Sequence, residues 1–262
     1  MRKTNTKLLT FCLCLKNRPT SALESIATLV NDQTIKHCNF IVTEDISNNL
    51  LDLSQFKFKN HIDHYIIDTK DTWNRSKTCN YGFKRATTPF VSSWDADFLF
   101  SSNIHITLAN LIKRADMKKE YLRVWTTETA SGSRRGTTYE KGSMYGGMYI
   151  YDQKRLAALG GYDEKFINYG WEEIDFNHRY SLQFSSREKW IRRKGLVYHK
   201  THDESISGDK SFYDINKGMR DSNIVDRRFV VNEKGWGQAK LLMKVDYTQD
   251  NPLSNLKVEY NG

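Results

Sequence analysis

The sequence predicts an α/β fold in which a mostly parallel central sheet is flanked by helices. Short apolar segments alternate with helical patterns along the first hundred residues, as is typical of parallel sheets built from strand–helix–strand units. One of these segments, Phe90–Trp94, runs directly into Asp95-Ala96-Asp97. Because open α/β sheets bind ligands at the carboxyl ends of their strands, these two acids indicate where the site lies.

The individual elements follow from hydrophobic periodicity and from helix-start signals. Strands are expected at residues 8–15, 39–42, 64–67, 90–94 and 121–125, with a further strand ending at His199. Helices are expected at 21–30, at 73–86, at 104–115 and from Trp171 onward. The capping-box pattern Ser21-Ala-Leu-Glu24 predicts the start of the first helix. Glycine pairs at 146–147 and 160–161 bracket one more short helix.

The segment 126–143 is polar, contains glycine and is long for a connection inside a compact domain. Such structureless segments are typically mobile lids over a site or passive inserts. As a lid, this segment would bring Arg134 and Arg135 to a phosphate or to an anionic acceptor. As an insert, it would have no part in binding.

Composition indicates a globular chain with one large domain and a small appendage. The chain has 262 residues, of which 39% are hydrophobic, and it can therefore bury a substantial core. It contains no apolar run long enough to span a membrane and no leader with a cleavage site, which predicts a cytoplasmic protein without a transmembrane segment. The four cysteines are spaced neither as a zinc site nor as a disulfide framework, which fits a reducing compartment.

The chain carries a formal net charge of +9. This excess favours anionic partners, namely nucleotides, nucleic acid or peripheral contact with an anionic membrane. Acidic residues are interspersed among the basic pairs through most of the sequence, so a solvated lysine-rich surface explains the same excess.

Asp95 and Asp97 are the first candidate ligands. In an extended chain, alternate residues share one face, so both carboxylates are expected to point the same way. Oxygen ligands suit a hard divalent cation such as Mn²⁺ or Mg²⁺, and such a cation suits a diphosphate. Two acids after a strand are also common in solvated turns, so this motif alone does not decide between the two interpretations.

A second acidic group lies at Gly170-Trp171-Glu172-Glu173-Ile174-Asp175. Carboxylates in the first turn of a helix are stabilised by its dipole, which accounts for them without any function. Gly170 and Trp171 add close backbone approach and a flat apolar wall beside these acids. That combination favours a carboxylate general base acting on a hydroxyl group.

Taken together, these motifs resemble the inverting GT-A glycosyltransferases, and most closely the β-galactosyltransferase and chondroitin-polymerase branch. The resemblance rests on the ordered series Trp73-Asn-Arg-Ser-Lys-Thr-Cys-Asn80, Asp95-Ala-Asp97, Gly146-Gly147, Gly160-Gly-Tyr162, Gly170-Trp-Glu-Glu-Ile-Asp175 and Tyr198-His199. It covers roughly residues 8 to 202 and implies a GT-A domain at 1–202, with a nucleotide-sugar half at 1–100 and an acceptor and catalytic half at 101–202. Residues 203–262 form a C-terminal extension.

The resemblance implies a metal site and a donor site. Asp97 corresponds to the principal metal ligand, Asp95 contacts the metal shell or the donor ribose, and His199 is the third ligand, with His202 as a substitute. The two histidines also allow a partial zinc site, although no cysteine nearby completes one. The donor is a UDP-sugar, and its predicted contacts are Arg18, Asp45, Arg75, Lys77, Asp95, Gly147 and Trp171.

By the same resemblance, Glu173 occupies the position of the catalytic base and Glu172 that of an acid binding donor or acceptor hydroxyls. Trp171 stands where the family has a second glycine, and Glu173 stands where it has aspartate. These departures leave the choice between Glu172 and Glu173 as the base open.

Two acceptors are compatible with the sequence. One is a cell-surface glycan such as lipopolysaccharide or capsule, made in a bacterial cell, for which Trp171 and Tyr169 would form an aromatic platform. The other is DNA bearing a hydroxymethylated base, modified during phage infection, which requires a flipped base at the site. A catalytically inactive binding module with the same fold is a further alternative, but the acids expected of an enzyme are present.

Overall fold

The computed structural model describes residues 7–71, 73–134, 137–168, 170–200, 212–254 and 256. Within these residues, ten strands form one mixed sheet, and two more form a separate hairpin. The strands are β1 (Leu9–Leu15), β2 (Cys38–Asp45), β3 (Ile62–Asp68), β4 (Phe90–Trp94), β5 (Phe98–Phe100), β6 (Glu120–Glu128), β7 (Gly132–Arg134), β8 (Thr137–Tyr139), β9 (Met144–Asp152), β10 (Arg187–Ile191), β11 (Val197–His199) and β12 (Lys240–Lys244).

The helices lie between these strands. They are α1 (Pro19–Leu29), α2 (Thr34–His37), α3 (Arg75–Arg85), α4 (Ile104–Arg114), α5 (Gln153–Ala158), α6 (Glu172–Phe184) and α7 (Tyr213–Val225), with a 3₁₀ turn at Lys59–His61. None of the helices in the described part of the chain is long and apolar enough to cross a bilayer.

The sheet has the order β12-β3-β2-β1-β4-β9-β6-β11-β5, with β10 also paired to β6. Strands β3, β2, β1 and β4 are mutually parallel. Strand β9 runs antiparallel to both β4 and β6, and β11 runs parallel to β6. The strands β1, β2, β3, β4, β6 and β11 therefore all end at the same edge of the sheet.

Alternation along β1 divides the core between the two faces of the sheet. Leu9, Phe11 and Leu13 belong to one buried cluster, which also receives apolar residues of α1 and α4. Cys12 and Cys14 belong to the other, which receives residues of α3, α5 and α6. A strand that is buried on both faces has a nearly continuous apolar sequence, and β1 was recognisable for this reason.

The predicted strands and helices are present, with two corrections. Helix α1 begins at Pro19, and its N-cap Arg18 makes no side-chain cap hydrogen bond, so the capping-box prediction at Ser21 was wrong. Proline fits the first turn because its missing N–H would have no partner there. The predicted structureless segment is also partly regular, because β6 continues to Glu128 and β7 pairs with β8.

Residues beyond 202, predicted as an extension, contribute to the main sheet. Strand β12 pairs antiparallel with β3 at its edge. Just after β12, the hydroxyl of Tyr247 lies 2.7 Å from Nδ1 of the buried His64 and accepts a hydrogen bond from the Leu53 backbone N–H. Helix α7 packs on α6. The C-terminal residues therefore help to position the helix that carries Glu172 and Glu173.

Helix α6 is anchored by Arg179, whose side chain is 1% exposed. Its Nε donates to Asp175 at 2.7 Å, and its terminal nitrogens donate to the backbone carbonyls of Gly161 and Phe229. Asp175 also accepts from Asn223 of α7 at 2.9 Å. One buried guanidinium therefore joins α6 to the turn after α5 and to the segment after α7.

We expect Arg179→Ala to lower the free energy of unfolding by about 3 kcal/mol, because it leaves Asp175 buried without its cation. Urea unfolding followed by circular dichroism measures this change. Lys217→Ala removes an exposed pair with Asp221 on α7 and serves as the control, with an expected change within about 0.5 kcal/mol. Equal stability of the two variants would contradict the anchoring role.

Candidate active site

Polar residues collect where the parallel strands end. Lys16 and Arg18 follow β1, Asp45 ends β2, Asp95 and Asp97 follow β4, Glu128 ends β6, and His199 ends β11. The shared direction of these strands brings the sequence-predicted residues to one edge.

Helices α3 and α6 meet at this edge through their N-terminal ends. Asn74 caps α3 by accepting a hydrogen bond from the Lys77 backbone N–H at 2.8 Å. Asn74 also forms an isolated parallel bridge with Asn168, and the Asn168 N–H donates to the Trp73 carbonyl at 2.9 Å. This bridge sets the start of α3 beside the segment that enters α6.

Arg75 is the centre of the resulting cluster. One terminal nitrogen of its guanidinium donates to Glu172 Oε1 at 3.1 Å. The other donates to Asp95 Oδ1 and to Glu173 Oε1, each at 2.9 Å. The three acids that sequence analysis selected from two distant motifs therefore share one cation.

The members of this cluster differ in exposure. The side chains of Arg75 and Glu172 are 9% and 7% exposed, whereas that of Glu173 is 28% exposed. Loss of solvent raises the pKa of Glu173, Arg75 opposes this rise, and the charges of Asp95 and Glu172 add to it. Burial opposes the charge on Arg75, yet Glu173 and Asp95 raise the pKa of the guanidinium. Glu173 is therefore the more accessible of the two helix acids and holds a proton more readily than an ordinary glutamate.

A second group surrounds Asp97, which lies 7% exposed between Arg18 and His199. Asp97 Oδ2 is 3.5 Å from the Arg18 guanidinium and 3.7 Å from His199 Nε2. The other ring nitrogen of His199, Nδ1, lies 2.8 Å from Glu128 Oε2. A carboxylate on one imidazole nitrogen fixes the ring so that the opposite nitrogen faces a ligand, as in many histidine metal sites.

The donor set of Asp97 and His199, oriented by Glu128, fits a divalent cation. Asp95 is turned toward Arg75, and no three His, Cys, Asp or Glu side chains among the described residues gather into a complete metal-binding group. A cation here would therefore take its remaining ligands from water or from a bound diphosphate, as Mg²⁺ and Mn²⁺ commonly do in nucleotide sites.

Sequence analysis missed Glu128. It lies at the end of β6 and pairs in register with His199 of the parallel strand β11, and its side chain is fully buried. An acid at the end of an apolar strand was the available signal. It was overlooked because the polar segment 126–143 was treated as a loop.

Two further residues predicted to bind the donor, Asp45 and Lys77, are held by hydrogen bonds to neighbouring residues. Asp45 is buried and is bound by Lys16 Nζ at 2.7 Å and by the N–H and hydroxyl of Thr69. Lys77 Nζ donates to the Thr69 carbonyl and to Asp71. Both residues thus order the strand ends beside the site, and their contact with a nucleotide stays a prediction.

Gly147 has a packing role that the sequence did not reveal. A Cβ at this position would lie 2.5 Å from Thr126 Cγ2 and 3.0 Å from the Val124 carbonyl oxygen. The register between β6 and β9 shifts at this point. Glycine therefore allows the two strands to stay in contact through the irregularity.

Trp171 departs from the family pattern, which has glycine at this position. Its φ is +73°, in the left-handed region that favours glycine. A non-glycine residue in this conformation costs about 1–2 kcal/mol. Arg220 of α7 lies 4.3 Å over the indole ring, and Tyr213 packs against it at 5.2 Å between ring centroids. These contacts hold the ring beside the acids of α6.

Three predicted residues lie outside the described part of the chain, namely His202, Tyr169 and Arg135. Arg134 is described only as a residue of β7. The roles of His202 as a substitute metal ligand, of Tyr169 as part of an aromatic platform, and of Arg134 and Arg135 as cations of a lid stay predictions.

No family model and no curated protein matches this sequence, but solved structures share its architecture. Residues 1–349 of TarS from S. aureus superpose with a TM-score of 0.58 and 14% identity, over 74% of this chain and 60% of that chain. The catalytic domain of Drosophila β1,4-galactosyltransferase 7, solved with xylobiose, superposes with a TM-score of 0.54 and 12% identity, over 82% of this chain and 80% of that chain.

This chain has the GT-A fold. The same TarS fragment has been solved with UDP-GlcNAc, and that complex superposes with a TM-score of 0.58 and 12% identity, over 84% of this chain and 67% of that chain. The chain spans 60% of one TarS fragment structure and 40% of a longer TarS structure. These structures confirm the GT-A fold that the motif resemblance predicted.

Proposed function

We propose that this protein is a metal-dependent inverting glycosyltransferase that moves a sugar from a UDP-sugar to an acceptor hydroxyl. The observation that carries the proposal is the convergence of Asp95, Glu172 and Glu173 on Arg75, beside Asp97 and His199. A GT-A fold alone would not support it, because folds host many functions. The UDP and UDP-GlcNAc complexes of TarS support the choice of donor.

Inverting transfer requires one carboxylate that accepts the proton of the acceptor hydroxyl as the sugar leaves its diphosphate. Glu173 suits this role because it is the more exposed acid and its Oε1 is held by Arg75. Glu172, which is more deeply buried, suits hydrogen bonding to sugar hydroxyls. Arg75 fixes the positions of both acids through charge-assisted hydrogen bonds.

Mn²⁺ or Mg²⁺, held by Asp97 and His199, would neutralise charge that develops on the departing diphosphate. Asp95 remains a candidate for the shell of this cation or for the donor ribose. Arg18, at 3.5 Å from Asp97, would supply a further positive charge toward the phosphates. Both terminal nitrogens of Arg75 already bind carboxylates, so its predicted contact with the diphosphate would require one of these bonds to exchange.

The test is transfer of labelled sugar from a panel of UDP-sugars, with Mn²⁺ or with chelator, to a bacterial glycan extract and to hydroxymethylcytosine-containing DNA. We expect transfer to the glycan that chelator and Asp97→Ala both abolish. Transfer to the DNA would instead assign the phage-type acceptor. Lack of metal-dependent UDP binding by the wild-type protein would refute the glycosyltransferase proposal.

We expect Glu128→Gln to weaken Mn²⁺ binding about 10- to 100-fold, because a neutral amide orients and polarises His199 less well than a carboxylate. Titration of Mn²⁺ by electron paramagnetic resonance measures this change without any sugar transfer. Glu120→Gln, at the other end of the same strand and paired with Arg187 and Lys189, is the control with unchanged affinity. Equal affinity of wild type and Glu128→Gln would contradict the role given to Glu128.

A further inference from the structure

A band of aromatic and guanidinium groups crosses the sheet next to the candidate site. Tyr149 of β9, Arg123 of β6 and Trp190 of β10 pair in register on three adjacent strands. Trp125 lies two residues beyond Arg123 on β6, on the same face by alternation, and Arg192 follows the end of β10, two residues beyond Trp190. We call these five residues the Trp–Arg track.

Successive members of the track are in contact. The Arg123 guanidinium lies 5.2 Å from the ring centroid of Tyr149 and 5.9 Å from that of Trp125. The Arg192 guanidinium lies 4.5 Å from the Trp125 ring and 4.3 Å from the Trp190 ring. The two indole rings are themselves 5.7 Å apart. Each distance is within the range of a cation–π or aromatic contact.

The inner end of the track is Tyr149, whose phenol is affected by the charge of Glu173. Tyr149 is 4% exposed, and burial raises the pKa of its phenol. The negative charge of Glu173 raises this pKa further, whereas the positive charge of Arg123 lowers it. Tyr149 therefore lies within electrostatic reach of both Glu173 and Arg123.

The outer end of the track is open. Trp190 is 49% exposed, and Arg192 is also exposed. Arg192 forms no ion pair with any described carboxylate, and Nε1 of Trp125 and Nε of Arg123 have no hydrogen-bond acceptor among the described residues. Nε1 of Trp125 and Nε of Arg123 are buried, so the groups that a ligand can reach at this end are the Trp190 ring and the Arg192 guanidinium.

We propose that the Trp–Arg track binds the acceptor chain, and that this acceptor is a glycan carrying sparse anionic groups such as carboxylates or phosphates. The inference rests on the proposed function, since it names the substrate class of that site. Indole rings present apolar faces to sugar rings, while Arg192 binds anionic oxygens through its planar guanidinium group. An acceptor lying along the track would bring its end to Glu173.

The charges of the track favour a glycan over a nucleic acid. Arg123 is paired with Glu188 at 3.3 Å, and this acid lies on the same strand as Trp190. Glu188 therefore offsets the charge of Arg123, which leaves Arg192 as the cation of the track that can bind an anion. A glycan with widely spaced charges matches this single cation better than a backbone with a phosphate at every nucleotide. Nucleic-acid grooves instead present rows of cations along the phosphates.

The test measures binding of three soluble probes to the full chain, namely polygalacturonate, neutral dextran and a single-stranded oligonucleotide. Wild-type protein should bind polygalacturonate most tightly, with quenching of tryptophan fluorescence. Trp190→Ala and Arg192→Gln should each weaken this binding about tenfold. Lys57→Gln, a substitution of another exposed cation, is the matched control and should leave it unchanged.

Several results would overturn the inference. The first is that wild-type protein does not bind polygalacturonate. The second is that Trp190→Ala and Arg192→Gln bind polygalacturonate as tightly as the wild type does. The third is that neutral dextran binds as tightly as polygalacturonate through the same residues. Tighter binding of the oligonucleotide, lost in both variants, would assign the track to nucleic acid instead. UDP binding is measured in parallel. If UDP binds normally while the track variants show no effect, this inference fails and the proposed function stands, whereas absence of UDP binding refutes the proposed function itself.

Discussion

Glu173→Gln should lower kcat about a thousandfold while leaving UDP binding intact. The amide keeps the size of the side chain and still accepts a hydrogen bond from Arg75, which now donates to Glu173 Oε1 at 2.9 Å. It has no basicity, so the acceptor hydroxyl keeps its proton. Steady-state transfer rates, measured together with UDP affinity by calorimetry, separate loss of the base from loss of donor binding.

Glu172→Gln is the matched control because Glu172 binds the same guanidinium at 3.1 Å. Its buried carboxylate is suited to holding sugar hydroxyls, so we expect a rise in KM with a much smaller fall in kcat. The reverse pattern, in which Glu172→Gln abolishes turnover and Glu173→Gln does not, would transfer the role of base to Glu172. The sequence left open which glutamate is the base, and the greater exposure of Glu173 favours Glu173.

Arg75→Ala should lower the free energy of unfolding by about 3 kcal/mol at neutral pH and abolish transfer. The guanidinium is nearly buried and is bound by three carboxylates. Its removal leaves their negative charges close together at the N-terminal end of α6. Urea unfolding measures the loss, and circular dichroism before denaturation shows whether the variant has folded.

The loss in Arg75→Ala should be smaller at about pH 5 than at about pH 7. The pKa of Glu173 is already raised in the folded protein, and removal of Arg75 takes away the charge that opposes this rise. A carboxyl with a raised folded-state pKa destabilises the fold as pH increases through that pKa, and protonation relieves the repulsion.

Arg75→Lys keeps the charge but loses the planar fork of the guanidinium, so we expect a loss of stability between those of the wild type and Arg75→Ala. If Arg75→Ala were as stable as the wild type at both pH values, the role of Arg75 as the cation shared by three carboxylates would be contradicted.

Much of the fold was predictable because its signals are local. Strand β1 is apolar on both faces, α4 repeats apolar residues at helical spacing, and β4 is followed by two acids. Each pattern is contained within about a dozen residues, which is the range over which periodicity is informative. The ordered motifs added the GT-A architecture, which the solved structures confirm.

Other features depended on contacts between distant segments. Strand β12 joins the edge of the sheet beside β3, yet nothing near residue 240 distinguishes it from a tail. Pairing at a sheet edge is set by the partner strand, and this information is absent from the segment itself.

The sequence by itself determined which residue types the candidate site contains. Asp95, Asp97, Glu172 and Glu173 were identified from their local motifs, and His199 was identified from the resemblance to GT-A glycosyltransferases. Only the tertiary structure decided how they are grouped. Arg75 joins Asp95 to both glutamates, and Glu128 orients His199 toward Asp97. The physical reason is that motifs report the chemistry of single segments, whereas ion pairs between strand ends and helix starts depend on sheet order and register, which the whole chain sets together.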